Sequence, residues 1–211
     1  MFKYNFITVD GNTGAGKTTL AKMFAKDFGG RLILEEFVDN PFLADFYSEP
    51  DRYAFQTELY FLVDRYEQLM TTIRKMDLYD SLHIADYVFK KSLLYAKANL
   101  KGHEYELFER IYHMTIKDLP EPELLIYIHS KADRLVRNIQ KRARDFEQVV
   151  KKSYLQRVED IYFDFFKGSP HLRILVIVAD DLDFVEKPQD YAKILEHATR
   201  QYEPGLHYLE L

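Results

Sequence analysis

One stretch limits what this chain can fold into more than any other: Gly11-Asn12-Thr13-Gly14-Ala15-Gly16-Lys17-Thr18, set between the apolar run Phe6 to Val9 and a helical pattern. The spacing is G-x-x-x-x-G-K-[ST], and a strand before it and a helix after it are the setting that gives such a match its force. Glycines let a backbone wrap an anion with amide donors, and the positive end of the following helix favours negative charge at that spot. Lys17 adds a mobile cation for the β and γ oxygens of ATP, and the Thr18 hydroxyl is placed to ligate Mg²⁺. An ordinary glycine turn would make the same join. Three of the eight glycines of the chain fall in these eight residues, however, and Lys-Thr follows them. The ATP-binding residues expected are Gly11 to Thr18 and the adjoining Thr19.

Five short apolar runs, Phe6 to Val9, Leu32 to Leu34, Leu82 to Ala85, Leu124 to Ile128 and Leu172 to Val178, alternate with longer stretches of helical spacing. That alternation implies an α/β protein of the P-loop NTPase fold: a five-stranded parallel sheet with helices on both faces. From Asp51 to Lys75 apolar side chains recur at 55, 59, 62, 66, 69 and 73, the buried stripe of one long helix opened by Pro50. Residues 103 to 118, 131 to 142 and 151 to 167 read as helices, and Pro188 opens a last one. Residues 1 to 211 form one domain in this reading, with a lid at about 142 to 150 and a tail after Pro204 left unassigned. In such sheets ligands bind beyond the carboxyl ends of the strands, so the functional residues should follow the apolar runs directly.

Composition excludes several classes. Without cysteine there are no disulfides and no thiolate metal sites, and the seven histidines are scattered, so any metal should be Mg²⁺ held by oxygen. No apolar run is long enough to span a bilayer and the first ten residues lack the features of a signal peptide, so a soluble, cytoplasmic protein is expected. A net charge of -5 argues against nucleic acid as the main partner. Charge is uneven: Lys131 to Lys152 hold eight Lys/Arg against three Asp/Glu, a local +5 in a remainder at -10. This is either a solvated helix face or a clamp for a triphosphate.

A phosphate cradle does not name the acceptor of the phosphoryl group. A guanine-reading N/T-K-x-D element is missing from the sequence, and small size with a late arginine-bearing segment favours a nucleoside or nucleotide kinase. Glu35 and Glu36 close the second strand, so one or both face the cleft, where a carboxylate can take a hydroxyl proton during attack on the γ-phosphoryl group. Asp86 closes the third strand and is placed either to orient Mg²⁺ through water or to cap the helical pattern that follows.

Taken in order, Glu36-Phe37-Val38, Asn40-Pro41-Phe42-Leu43, Phe46-Tyr47, Pro50 to Phe55, Asp86 and Arg142-Ala143-Arg144-Asp145-Phe146-Glu147 resemble the deoxynucleoside kinase family, in particular its bacterial deoxyadenosine and deoxyguanosine kinases. The likeness runs from residue 3 to about 185. It implies Glu36 as the base that deprotonates a 5'-hydroxyl, Tyr47 and Glu147 as contacts to the 3'-hydroxyl, and Arg142 and Arg144 in a lid over the donor phosphates. It also implies that Asp183 and Phe184 belong to the loop holding the donor adenine, where Phe184 stacks on the base or is simply a core aromatic.

Three departures from the family pattern stand out. Asp86 is followed by Tyr87 and Val88, so the arginine usual after the acid is missing, with Lys91 one turn on as a substitute that lacks the bidentate fork. The lid glycine is Ala143, and a lid-helix arginine is Asn138 beside Arg137. The family's base-reading glutamine precedes an arginine by seven residues; since Arg65 lies seven after Glu58, Glu58 takes the glutamine's place, with Gln56 as the alternative reader. An ionised carboxylate only accepts hydrogen bonds, which suits guanine's N1-H and 2-amino donors and leaves O6 for Arg65.

The leading expectation is transfer of the γ-phosphoryl of ATP to the 5'-hydroxyl of a purine deoxynucleoside, with Lys17, Arg142 and Arg144 neutralising charge and Thr18 and Asp86 holding Mg²⁺. A nucleoside monophosphate kinase is the runner-up, and a nucleotide-binding regulatory protein without transfer is the reading from another class. The resemblance further implies a homodimer.

Overall fold

The runs that alternate in sequence become neighbouring strands in space. The computed structural model describes residues 3–35, 40–75, 81–144 and 147–209. β1 (Phe6–Gly11), β2 (Arg31–Ile33), β3 (His83–Ala85), β4 (Leu124–His129) and β5 (Arg173–Val178) lie where the apolar runs predict them. A sixth strand, β6 (Gly205–Leu209), comes from the tail. The sheet is therefore six-stranded rather than five-stranded, in the order β2-β3-β1-β4-β5-β6 and parallel throughout. β6 has no apolar run because it is an edge strand: Leu209 is buried and Tyr208 is exposed. Its position is fixed by pairing with β5, beginning where Gly205 N-H donates to Leu172 O at 2.7 Å.

Both faces of the sheet are covered, which is why strands such as Leu124-Leu125-Ile126-Tyr127-Ile128 show no polar alternation. Leu124, Ile126 and Ile128 pack with α1 (Lys17–Phe28), α6 (Ala132–Arg142) and α8 (Pro188–Ala198). Leu125 and Tyr127 face the other way, onto α4 (Lys91–Asn99) and α7 (Lys152–Lys167). A third cluster joins Phe6, Ile33 and Ala85 to α2 (Leu43–Ser48), α3 (Pro50–Lys75) and α5 (Gly102–Thr115). The stripe expected on α3 is buried at Leu62 and Leu69 and partly buried at Phe55, Leu59 and Tyr66, while the side chain at 73 lies outside the described residues. α5 runs into a short 3-10 turn (Ile116–Asp118), so the expected 103–118 helix is two elements.

Chain connections run from β1 to one side of the sheet and from β4 to the other, so the order reverses at β1. The carboxyl ends there deliver the P-loop after β1, Glu35 after β2 and Asp86 after β3. This is the crevice where α/β sheets bind ligands. α6 ends at Ala143, which is left-handed at φ 54°. Such a helix stop explains the glycine of the family pattern, since a Cβ costs about 1 kcal/mol or more there.

Candidate active site

The donor side is built from backbone. Gly14 (φ 83°) and Gly16 (φ 92°) hold the P-loop in a left-handed path. A Cβ on Gly14 would lie 2.8 Å from Leu135 O, and one on Gly16 would lie 3.0 Å from Phe184 Cζ. Buried Asn12 ties the loop to α7 by donating to Leu155 O at 2.7 Å, and its Oδ1 accepts from Thr13 N at 2.9 Å. Lys17 Nζ donates to Asn12 O at 3.0 Å, and desolvation together with the nearby Lys91 charge lowers this ammonium to about 8.

Outside the loop lies a cleft of about 380 Å³ bounded by Gly14 to Thr19, by Arg134, Asn138, Lys141 and Arg142 of α6, and by Asp183 to Glu186. Asn138 donates to Gly14 O at 2.8 Å, so the residue standing where the family carries arginine braces the loop itself. Arg134, which the sequence did not single out, donates to Asp180 O and Leu182 O and ties α6 to the 180–186 loop. Phe184 lines the cleft, yet its ring is buried in the core under Gly16. Asp183 Oδ1 accepts from Val185 N at 3.3 Å and Glu186 N at 3.1 Å, shaping the loop rather than reaching across it.

At the junction, Thr18 Oγ1 donates to Asp86 Oδ2 at 2.5 Å, and Asp86 Oδ1 accepts from Glu35 N at 2.7 Å. One carboxylate thus links the P-loop to the end of β2. Among the described residues no three His, Asp or Glu side chains gather as a metal cage. Two hard oxygens beside a phosphate cradle suit Mg²⁺, which keeps waters and takes its remaining ligands from phosphates.

The acceptor side is a smaller cavity of about 110 Å³, opening from Thr13, Lys17 and Thr18 and walled by charge. Arg65 grips Glu35 Oε1 with Nε at 2.9 Å and Nη2 at 2.5 Å, and its Nη1 donates to Ser92 Oγ at 2.8 Å. Lys91 Nζ holds Glu35 Oε2 at 2.7 Å. Burial by itself would raise the Glu35 carboxyl, but Lys91 and Arg65 outweigh it and hold the group well below the usual carboxylate range. The carboxylate therefore stays ionised, and two buried cations fix its orientation at the end of β2 beside the P-loop.

Deeper in, Glu58 Oε1 accepts from Asn99 Nδ2 at 2.6 Å, and Asn99 also reaches Tyr154 Oη at 3.2 Å. Burial raises the Glu58 carboxyl to about 7 against the lowering by Asn99 and Arg65. At the end of α6 Arg142 donates to Glu147 Oε2 from Nε at 3.1 Å and again from Nη2, and Arg144 donates to Glu147 Oε1 at 3.3 Å. Tyr47 lines the same cavity, its phenol pushed up by burial and by Glu147.

Several sequence expectations meet here and others do not. Lys17, Thr18, Tyr47, Glu58, Arg65, Asp86, Lys91, Arg142, Arg144 and Glu147 all line one cavity. Gln56 is exposed and stands apart from it, since two residues along a helix from Glu58 is more than half a turn away. Arg65 is turned to Glu35 and Ser92 rather than left open for a base oxygen. Glu36 lies outside the described residues, as do Asp145 and Phe146. Its neighbour Glu35, which is described, lines the cavity. Tyr95 and Tyr154 complete the wall, with Asn99 bonded to Glu58 and Tyr154; nothing in their local sequence marks them, because a lone Asn or Tyr on a helix carries no pattern.

A P-loop joined through a Thr-Asp pair to a clamped carboxylate defines a phosphoryl-transfer enzyme of the P-loop fold. The family model for deoxynucleoside kinases matches residues 7–202. The deoxyguanosine kinase of Bacillus subtilis (strain 168) is 37% identical over 196 residues, covering 91% of this chain and 95% of that one. The deoxyadenosine kinase of Dictyostelium discoideum is 30% identical over 192 residues, covering 90% and 77%. The solved deoxyadenosine kinase of M. mycoides with bound dATP superposes with a TM-score of 0.79 at 20% identity, over 92% of this chain and 99% of that one, a likeness of fold. The chain belongs to the deoxynucleoside kinase family and is an ATP-dependent phosphotransferase.

Proposed function

We propose that the chain transfers the γ-phosphoryl group of ATP to the 5'-hydroxyl of a purine deoxynucleoside, with deoxyguanosine preferred. The observation that carries this reading is Glu35, ionised and fixed by Lys91 and Arg65 where the P-loop cavity meets the acceptor cavity. Glu35 accepts the hydroxyl proton, taking the part that the motif assigned to Glu36. Lys17, Arg142 and Arg144 balance the negative charge of the transferring group, with the two arginines leaving Glu147 in part as phosphates enter. Thr18 and Asp86 would hold Mg²⁺, which neutralises phosphate charge when bound. Tyr47 and Glu147 contact the sugar 3'-hydroxyl, and Lys91 stands in for the missing arginine. Glu58 faces the Watson–Crick edge of the base, Asp183 and Phe184 border the donor adenine, and the preference for guanine agrees with the relative from Bacillus subtilis.

A nucleoside monophosphate acceptor fits poorly. Glu35, Glu58, Asp86 and Glu147 all line the acceptor cavity; of its cations, Arg65 and Lys91 are already bonded to Glu35, Arg142 and Arg144 to Glu147, and Lys17 serves the donor phosphates. A second phosphate would meet uncompensated repulsion there. The protein acts as a cytoplasmic homodimer in this reading; apolar side chains left exposed on helices, Val63 on α3 and Leu107 and Met114 on α5, support the assembly. ADP release with ATP-Mg²⁺ and a panel of four deoxynucleosides and four monophosphates is the test. Turnover on deoxynucleosides alone is expected; turnover on monophosphates alone selects the runner-up, and none at all selects a nucleotide-binding regulator.

A further inference from the structure

Glu58 is surrounded in an unusual way for a carboxylate in a cavity full of cations. It is 3% exposed, and no described cation bonds to it. Arg65 and Lys91 are both committed to Glu35, while Arg142 and Arg144 are bonded to Glu147. Its one hydrogen-bond partner among the described residues is the Asn99 amide on Oε1, so that none of them bonds Oε2, and Glu58 lines the cavity. A side-chain amide can serve either state of a carboxyl group, donating from NH₂ to the ionised form or, turned over, accepting from the protonated form.

We infer that Glu58 reads the base through its own proton: ionised, its open oxygen accepts guanine's N1-H, and protonated, it donates to adenine's N1 lone pair, so one site admits both purines. This deepens the proposed purine deoxynucleoside kinase activity and rests on it. N1 is the atom at which the two purines reverse from donor to acceptor, and a fixed glutamine or a fixed carboxylate favours one of them.

The neighbours leave Glu58 as the group that decides the ratio between the two near neutral pH. Burial raises it to about 7. From the end of β2, Glu35 is held ionised; from α2, α4 and α7, the phenols of Tyr47, Tyr95 and Tyr154 are pushed up by burial and stay neutral. Lys17 also titrates close to this range, at about 8, but it serves the donor phosphates and affects both substrates alike.

The experiment measures kcat/KM for deoxyguanosine, deoxyadenosine and deoxyinosine from pH 6 to 8.5. The deoxyguanosine to deoxyadenosine ratio should climb with pH, by roughly tenfold per unit in the limit where each form takes a single base. Deoxyinosine, which keeps N1-H but lacks the 2-amino group, should follow deoxyguanosine. In Glu58→Gln the ratio should become flat in pH and move towards deoxyadenosine. A ratio that is flat in the wild type, or that climbs equally in Glu58→Gln, overturns the inference while leaving the kinase reading in place. Absence of turnover with every deoxynucleoside overturns both.

Discussion

The two halves of the cavity manage charge in opposite ways. On the donor side the anion is met by a loop of backbone amides, two left-handed glycines and one lysine, all within eight residues of sequence. On the acceptor side four carboxylates, two of them bonded to cations, converge from the ends of β2 and β3, from α3, and from Glu147 beyond α6. A cradle of amides brings no full charge out of water, whereas each buried carboxylate must be compensated individually. Glu35 and Glu147 are each held by two cations, and Glu58 by a neutral amide. The donor half should therefore be insensitive to pH, apart from Lys17, and intolerant of added Cβ atoms. The acceptor half should respond to the removal of single charges.

On the donor side Lys17→Ala should have the largest effect, lowering kcat/KM for ATP by about 10²–10³. Deoxyguanosine binding measured by calorimetry without ATP should survive, and a matching loss there would show that the halves are not separable. Gly14→Ala should act on the same side through backbone, since its Cβ meets Leu135 O. Next comes Glu58→Gln as a stability change. The native carboxyl at about 7 binds its proton more tightly than the unfolded chain does, so this group costs the wild type stability as pH rises from the ordinary carboxylate range to 7. The variant should be the more stable at pH 8, by up to about 3 kcal/mol, with the gain fading towards pH 5. Chemical denaturation at both pH values measures this, and an equal effect at each would contradict it.

Lys91→Met should be smaller, about 1–3 kcal/mol, because Arg65 remains on Glu35. Its sharper signature is kinetic. With one cation gone the Glu35 carboxyl rises, so the acid limb of the kcat profile should move to higher pH. Gln56→Ala, on the exposed face of α3, should change stability and kcat/KM by less than about 0.5 kcal/mol.

The same contrast decides what could be read from sequence. The P-loop was legible because all its parts are adjacent, and the four inner strands because burial on both faces makes them continuously apolar. β6 escaped because an edge strand needs only Leu209 buried, and α2 because six residues hold too little periodicity. In the acceptor half, the Glu58 and Arg65 register was legible from two helical turns, which also explains why Gln56 faces outward. That Glu35 enters the cavity was not legible. The hydrogen bond from Glu35 N to Asp86, which holds the end of β2 there, spans 51 positions. Asn99 of α4 meets Glu58 of α3 and Tyr154 of α7, tertiary contacts with no local signal.

The central claim is that the acceptor hydroxyl is activated by the clamped Glu35. Single-turnover transfer from ATP-Mg²⁺ to deoxyguanosine, compared in wild type, Glu35→Gln and Glu36→Gln with folding verified by circular dichroism, tests it most directly. The expected result is a loss of roughly 10²–10⁴ in the rate for Glu35→Gln, with Glu36→Gln close to wild type. A folded Glu35→Gln that turns over at the wild-type rate, with the loss falling on Glu36→Gln, would contradict the account.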